Sequence, residues 1–161
     1  MLRRRSPGSW RKRARHKGRW DMAIDDELDL LQRSPVFASV PASRLRMLAL
    51  GSDHMVFKPG QAIFEAGDPS EMVYIILSGR LALSDWAFEL RYIVGIVGAL
   101  LHKPYVATVR AETEVRALRV SRTALLDLAT NCPHTAMAVM KELARVIELL
   151  AMRQPAEEAH A

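Results

Sequence analysis

Apolar and polar positions follow two rhythms along this chain, and the changes of rhythm mark its elements. From residue 24 to 50 the spacing is helical. Asp25 or Asp26 is placed to cap a short helix through Gln32, where acidic residues suit the positive end of the helix dipole. Pro41-Ala42-Ser43 opens a second helix to about Leu50, with Ser43 as its expected cap and Leu45, Leu48 and Ala49 on one face. From Met55 to Val120 the apolar runs are short, broken by Pro-Gly, Gly-Asp, Ser-Gly and charged pairs, which is the rhythm of an antiparallel roll. Val109, Ala111, Val115, Ala117, Leu118 and Val120 supply its last two strands. Ser121 or Thr123 then caps a helix to Thr130, Asn131 and Pro133 break and restart the chain, and a long helix runs to about Met152. The expected fold is mainly β with flanking helices: a jelly-roll-like antiparallel β-roll, helices before it and a long helix after it.

That last helix carries a second pattern. Met140, Leu143, Ile147 and Leu150 recur at steps of three and four, with Ala136, Ala144 and Ala151 beside them. Val139, Val146 and Leu149 widen the apolar arc beyond what one buried side needs. Burial on two sides predicts a homodimer that pairs this helix with its twin.

Charge changes the picture at one end only. The formal net charge is +5, from 23 Lys and Arg against 18 Asp and Glu. Nine of the positives (Arg3, Arg4, Arg5, Arg11, Lys12, Arg13, Arg15, Lys17 and Arg19) fall in the first 20 residues, which hold no acid, so the remainder is mildly acidic. The reading is a domain over 22–152, a disordered tail over 153–161, and a basic stretch over 1–21 that is a disordered tail or precedes a true start at Met22. A basic arm for phosphates or an anionic membrane is the functional alternative for that stretch. Lacking an apolar period, it is expected to add nothing to stability. A single cysteine, Cys132, excludes an internal disulfide framework and reads as a buried small residue. The longest uncharged apolar run, Tyr92 to Leu101, is about half a membrane span, and no apolar leader core follows the basic start, so a cytoplasmic protein with no membrane span is expected.

The most informative stretch is 91–111. Gly95, a small apolar helical turn, Pro104 and then Ala107-Thr108-Val109-Arg110-Ala111 have the spacing of a phosphate-binding cassette. The chain resembles the cyclic-nucleotide-binding domain family of cAMP receptor protein and the kinase regulatory subunits, whose cassette runs G-E-x-A-L and then P-R-x-A-T-V. The resemblance extends from about Leu30 to Ala151. It takes in Leu30 to Phe37, the turn-strand-turn Lys58 to Asp68, and the strand pair Tyr74 to Leu81, with Gly60, Gly67 and Gly79 at its corners. It implies a cyclic-nucleotide-binding-type roll. It also implies ligand positions at Gly95, Ile96, Val97, Gly98, Tyr105, Val106 and Ala107, with cAMP or cGMP as the ligand.

Two of those positions have lost their chemistry. The family's acidic place is Ile96 and its arginine place is Tyr105. An arginine fork meets two oxygens of a cyclic phosphate and a carboxylate accepts from the ribose hydroxyl; isoleucine accepts nothing, and tyrosine supplies one neutral donor. Losing two charge-assisted bonds weakens binding by roughly two to four powers of ten. The hairpin from Gly79 to Gly95 is also some ten residues shorter than the family pattern. His102, Lys103 and Arg110 are close enough in sequence to be asked whether they compensate, though solvated surface charge is the plainer reading. Tyr105 and Trp86 read as packing residues before base-stacking ones.

Other chemistry finds little support. The five histidines (His16, His54, His102, His134 and His160) form no H-x-H or H-x-x-x-H pair, so no metal site is expected; haem ligation by His54 or His102 is an open alternative, set against the plainer reading of a lone histidine beside a strand as structural or exposed. After Met152 nine residues remain, too few for a helix-turn-helix, so no DNA binding of that kind is expected. The reading is a non-enzymatic, stand-alone regulatory or sensor domain with weak or lost cyclic-nucleotide binding that acts through contact with an unknown protein. The alternatives are a genuine receptor with atypical contacts, the remnant of a truncated transcription regulator, and a small enzyme on a cupin-like roll.

Overall fold

The structure, a computed structural model, describes residues 20–83, 86–90 and 92–152, with 86–90, 149 and 150 described through their backbone. The order is α1 (Ile24–Arg33), α2 (Ala42–Leu50), β1 (Asp53–Phe57), β2 (Ala62–Phe64), β3 (Met72–Ser78), β4 (Leu81–Leu83), β5 (Trp86–Leu90), β6 (Ile93–Val94), α3 (Ile96–Leu101), β7 (Val109–Ala111), β8 (Val115–Ser121), α4 (Arg122–Asn131) and α5 (Pro133–Met152). The strands form two four-stranded antiparallel sheets, β1-β8-β3-β6 and β2-β7-β4-β5. The abridged hairpin still completes its strands: Leu81 pairs with Leu90 and Leu83 with Trp86, after which Ile93 and Val94 return to pair with Ile75 and Tyr74. Gly79 makes the sharpest corner, at φ +95°, where a Cβ would lie 2.2 Å from the carbonyl oxygen of Glu114.

The central strands face two cores. Val73, Ile75, Leu118 and Val120 point outward beneath the helices, where they pack with Leu28, Leu31, Val36, Phe37, Leu45, Leu125 and Leu128. Their alternates Tyr74, Val94, Val115 and Ala117 point into the roll with Met55, Phe57, Phe64, Leu81, Tyr105 and Val109. The predicted faces hold: Leu45, Leu48 and Ala49 are the buried residues of α2, and the side chain of Ser121 accepts from the Ala124 N–H at the start of α4. Two caps differ from expectation. Asp25 and Asp26 lie inside the first turn of α1 with Ala23 as its N-cap, and Pro41 rather than Ser43 caps α2. At these ends neither helix has a side-chain cap bond, so packing of the apolar face carries its stability.

The residues before α1 are part of this structure. The ring of Trp20 lies against His54 at 4.7 Å between centroids, and Asp21 pairs with Arg116 at 2.8 Å. His54 in turn meets both carboxylate oxygens of the fully buried Glu27, at 2.9 and 3.1 Å. The outer face of β1 and β8 thus ends in a polar row capped by α1 and by residues 20 and 21, which the expected boundary at Met22 left out. Residues 1–19 and 153–161, expected as tails, lie outside the described residues.

Candidate functional site

The residues expected to share one ligand site are divided among three surroundings. Gly95 and Tyr105 meet inside the roll. Gly95 caps α3 in the left-handed region, at φ +87°, and a Cβ there would be 3.0 Å from Cε1 of Tyr105. Gly98 is buried against Ser70, whose hydroxyl donates to the Lys103 carbonyl; a Cβ at 98 would lie 2.7 Å from that of Ser70. This glycine therefore brings α3 close to the β2–β3 loop. Ile96 points the other way and packs with Ala99 in the core beneath the helices. Val97 and Val106 stand in solvent, and Ala107 is half-buried.

Tyr105 fills the place expected of an arginine. Its ring stacks on Phe64 at 3.9 Å and 17°, and Phe64, Tyr74 and Phe57 continue an aromatic row with centroids 5.9 and 6.1 Å apart. Its hydroxyl donates to the Met72 carbonyl, its N–H to the Asp68 carbonyl at 3.0 Å, and its own carbonyl accepts from the Gly67 N–H at 2.8 Å. Burial pushes the Tyr105 phenol well above its ordinary range, reinforced by Tyr74 and Asp68 nearby, so it stays neutral. A neutral, internally bonded phenol is a poor substitute for a guanidinium toward a phosphate.

The three neighbouring basic residues lie at the surface. Arg110 is exposed between the inward Val109 and Ala111, reaching the Gly60 carbonyl at 3.3 Å and Glu65 at 3.8 Å. His102 closes α3 with φ +54°, and Lys103 is exposed, its N–H donating to Gly98. Trp86 lies in β5, and its side chain is outside the described residues.

One inward charge went unnoticed in the sequence. Asp53, Arg119 and Tyr74 are paired across three adjacent strands on the roll side. The Arg119 guanidinium bonds Asp53, with Nε at 3.0 Å from Oδ2. Burial raises the Tyr74 phenol, and Arg119 opposes that rise by charge and by a hydrogen bond. The signal was available, because the two-residue step from Val115 and Ala117 puts 119 on the inner face. The cation is matched to Asp53.

The expected seam on α5 is also divided. Leu143 packs with Ala138 and Val139 against the helical core, whereas Met140 and Ile147 are exposed. The side chain of Leu150 is outside the described residues. The outward stripe consists of Met137, Met140, Ala144, Ile147 and Ala151, again at steps of three and four.

Among the described residues no group of three or more His, Cys, Asp or Glu could hold a metal ion, and no helix is long and apolar enough to cross a membrane. Cys132 is buried, as its composition class suggests.

Comparison with known proteins agrees with this architecture. Residues 54–132 match the family model of the cyclic nucleotide-binding domain. A CRP-like cAMP-activated global transcriptional regulator of Mycobacterium tuberculosis is 28% identical over 127 residues, covering 73% of this chain and 57% of that protein. The chain thus spans little more than half the length of this relative. The sensor domain of the transcriptional regulator DNR from Pseudomonas aeruginosa superposes with a TM-score of 0.61 at 22% identity, over 83% of this chain and 97% of that one. The regulatory subunit of a cAMP-independent protein kinase A from Trypanosoma brucei gives 0.61 at 24% identity, over 76% and 46%. These structural likenesses establish the fold. Over its segment 54–132 the chain thus carries the pattern of the cyclic nucleotide-binding domain family.

Proposed function

We propose that this chain is a regulatory domain of the cyclic-nucleotide-binding type in which binding of cAMP or cGMP is weak or lost, and that it works through contact with protein rather than by catalysis, in the cytoplasm. The observation that carries the reading is Tyr105, whose ring and hydroxyl are both engaged inside the roll where an arginine would face a phosphate. Ile96 supports it, because an acid at that position would be turned into the helical core. Isothermal titration with cAMP and cGMP is the test. No saturable heat is expected below about 100 μM, and a tight complex would refute the reading. A receptor with atypical contacts is the second reading, favoured by the inward position of Arg119; the same titration decides it.

The protein contact proposed first is with a second copy. Met137, Met140, Ala144, Ile147 and Ala151 make an exposed stripe of the kind that closes under two-fold symmetry. Light scattering is expected to show a dimer at micromolar concentration and a folded monomer for Ile147→Lys, since Ile147 is 65% exposed within its own chain. Leu143→Glu should unfold the domain instead. A wild-type monomer would remove the dimer from this reading.

A further inference from the structure

We propose that Tyr105 is an internal ligand: a side chain that occupies the roll and holds α3 in one arrangement without any diffusible molecule. The contacts that fix it come from four segments. Phe64 of β2 stacks on one face of the ring, and Gly95, at the start of α3, leaves room for its edge. The Met72 carbonyl at the head of β3 accepts from the hydroxyl. The turn at Gly67 and Asp68 bonds the backbone N–H and carbonyl of the same residue. The far end of α3 is tied to the same loop, since Ser70 bonds the Lys103 carbonyl and the Lys103 N–H returns to Gly98. A six-residue helix is too short to hold itself; its position is set by what it is fastened to, and here its start lies against the Tyr105 ring while its far end is bonded to the β2–β3 loop.

The site so filled has a definite chemistry. It presents an aromatic face, a glycine surface and a carbonyl acceptor, which suits a flat phenol. A residue that supplies its own phenol keeps α3 in place at all times, so the exposed Val97, Leu100 and Leu101 are on display without a signal. This rests on the reading of a nucleotide-silent roll, yet the two fail separately: titration of the wild type judges that reading, and variants at position 105 judge this one.

Hydrogen exchange on the full chain with Tyr105→Ala and Tyr105→Leu is the test. Amides of 96–107 are expected to exchange at least about ten-fold faster than in the wild type while α4 is unchanged. Millimolar 4-methylphenol, which is the tyrosine side chain itself, should restore protection in Tyr105→Ala and do nothing to the wild type. Should the alanine variant fail to fold, the leucine variant keeps most of the volume without the stacking or the hydroxyl and carries the exchange comparison. Wild-type protection of α3 in the folded variants would overturn the proposal, as would 4-methylphenol acting equally on wild type and Tyr105→Ala.

Discussion

The two faces of the β1-β8-β3-β6 sheet carry different kinds of information. The outer face is aliphatic at its centre, where Leu118, Val120, Val73 and Ile75 meet the helices. It ends in a polar row in which His54 and Arg116 are each matched by an acid. The inner face combines a charged pair, Asp53 and Arg119, with the aromatic row that ends in Tyr105. Both are packed, but the outer face holds the domain together, whereas the inner face decides what the roll can admit. Under the proposed reading the fold persists while the site is filled by side chains, because the two faces of one sheet are filled independently.

The comparison can be broken most forcefully on the outer face. Phe37 is fully buried there, and Phe37→Ala should cost about 3–5 kcal/mol in denaturant unfolding. A cost below about 1 kcal/mol would show that this core is not the principal one.

Next comes the polar row. The described hydrogen bonds of the Glu27 side chain are to a single ring nitrogen of His54, so His54→Ala leaves a buried carboxyl group without that partner and should cost about 2–3 kcal/mol. Glu27→Gln should cost less, since the amide still meets the ring. Equal losses in the two variants would mean that charge does not matter at this contact.

A chain beginning at Met22 loses Trp20 and Asp21. The sequence suggested no change in thermal midpoint, but the docked indole and the pair with Arg116 predict a loss of about 1–2 kcal/mol. An unchanged midpoint would support the boundary at Met22.

The smallest effect tests the inner face. Tyr74 and Tyr105 keep their protons to higher pH in the fold than the ordinary phenol value of 10.0. Their contribution to stability is therefore complete below pH 10 and is lost as pH rises beyond it. Tyr105 should lose about 1 kcal/mol by pH 11, and Tyr74 adds to the loss in the same direction. Tyr105→Phe should remove its own share of that slope, and an unaltered slope would mean that the hydroxyl is not desolvated.

Much of the fold was legible because periodicity reports which side a residue faces. The steps of two through β7 and β8 and the helical face at Leu45, Leu48 and Ala49 gave the architecture, and Gly79 marked a corner that only glycine fills. The site was legible as a place but not as an arrangement. The motif put Ile96 and Tyr105 in one cassette, yet α3 turns one into the helical core and the other into the roll.

From the sequence alone came the β-roll with its helices, the family, the absence of the two charged side chains at 96 and 105, and the wide apolar arc of α5. Tertiary structure decided which residue meets which. Tyr105 lies on Phe64, Arg119 is matched by Asp53, Trp20 docks on His54, and Leu143 faces inward while Ile147 faces solvent. The physical reason is common to all four. Local pattern fixes a side chain's direction within a few residues, but the group that stands opposite it comes from a distant part of the chain and is chosen by how the layers close.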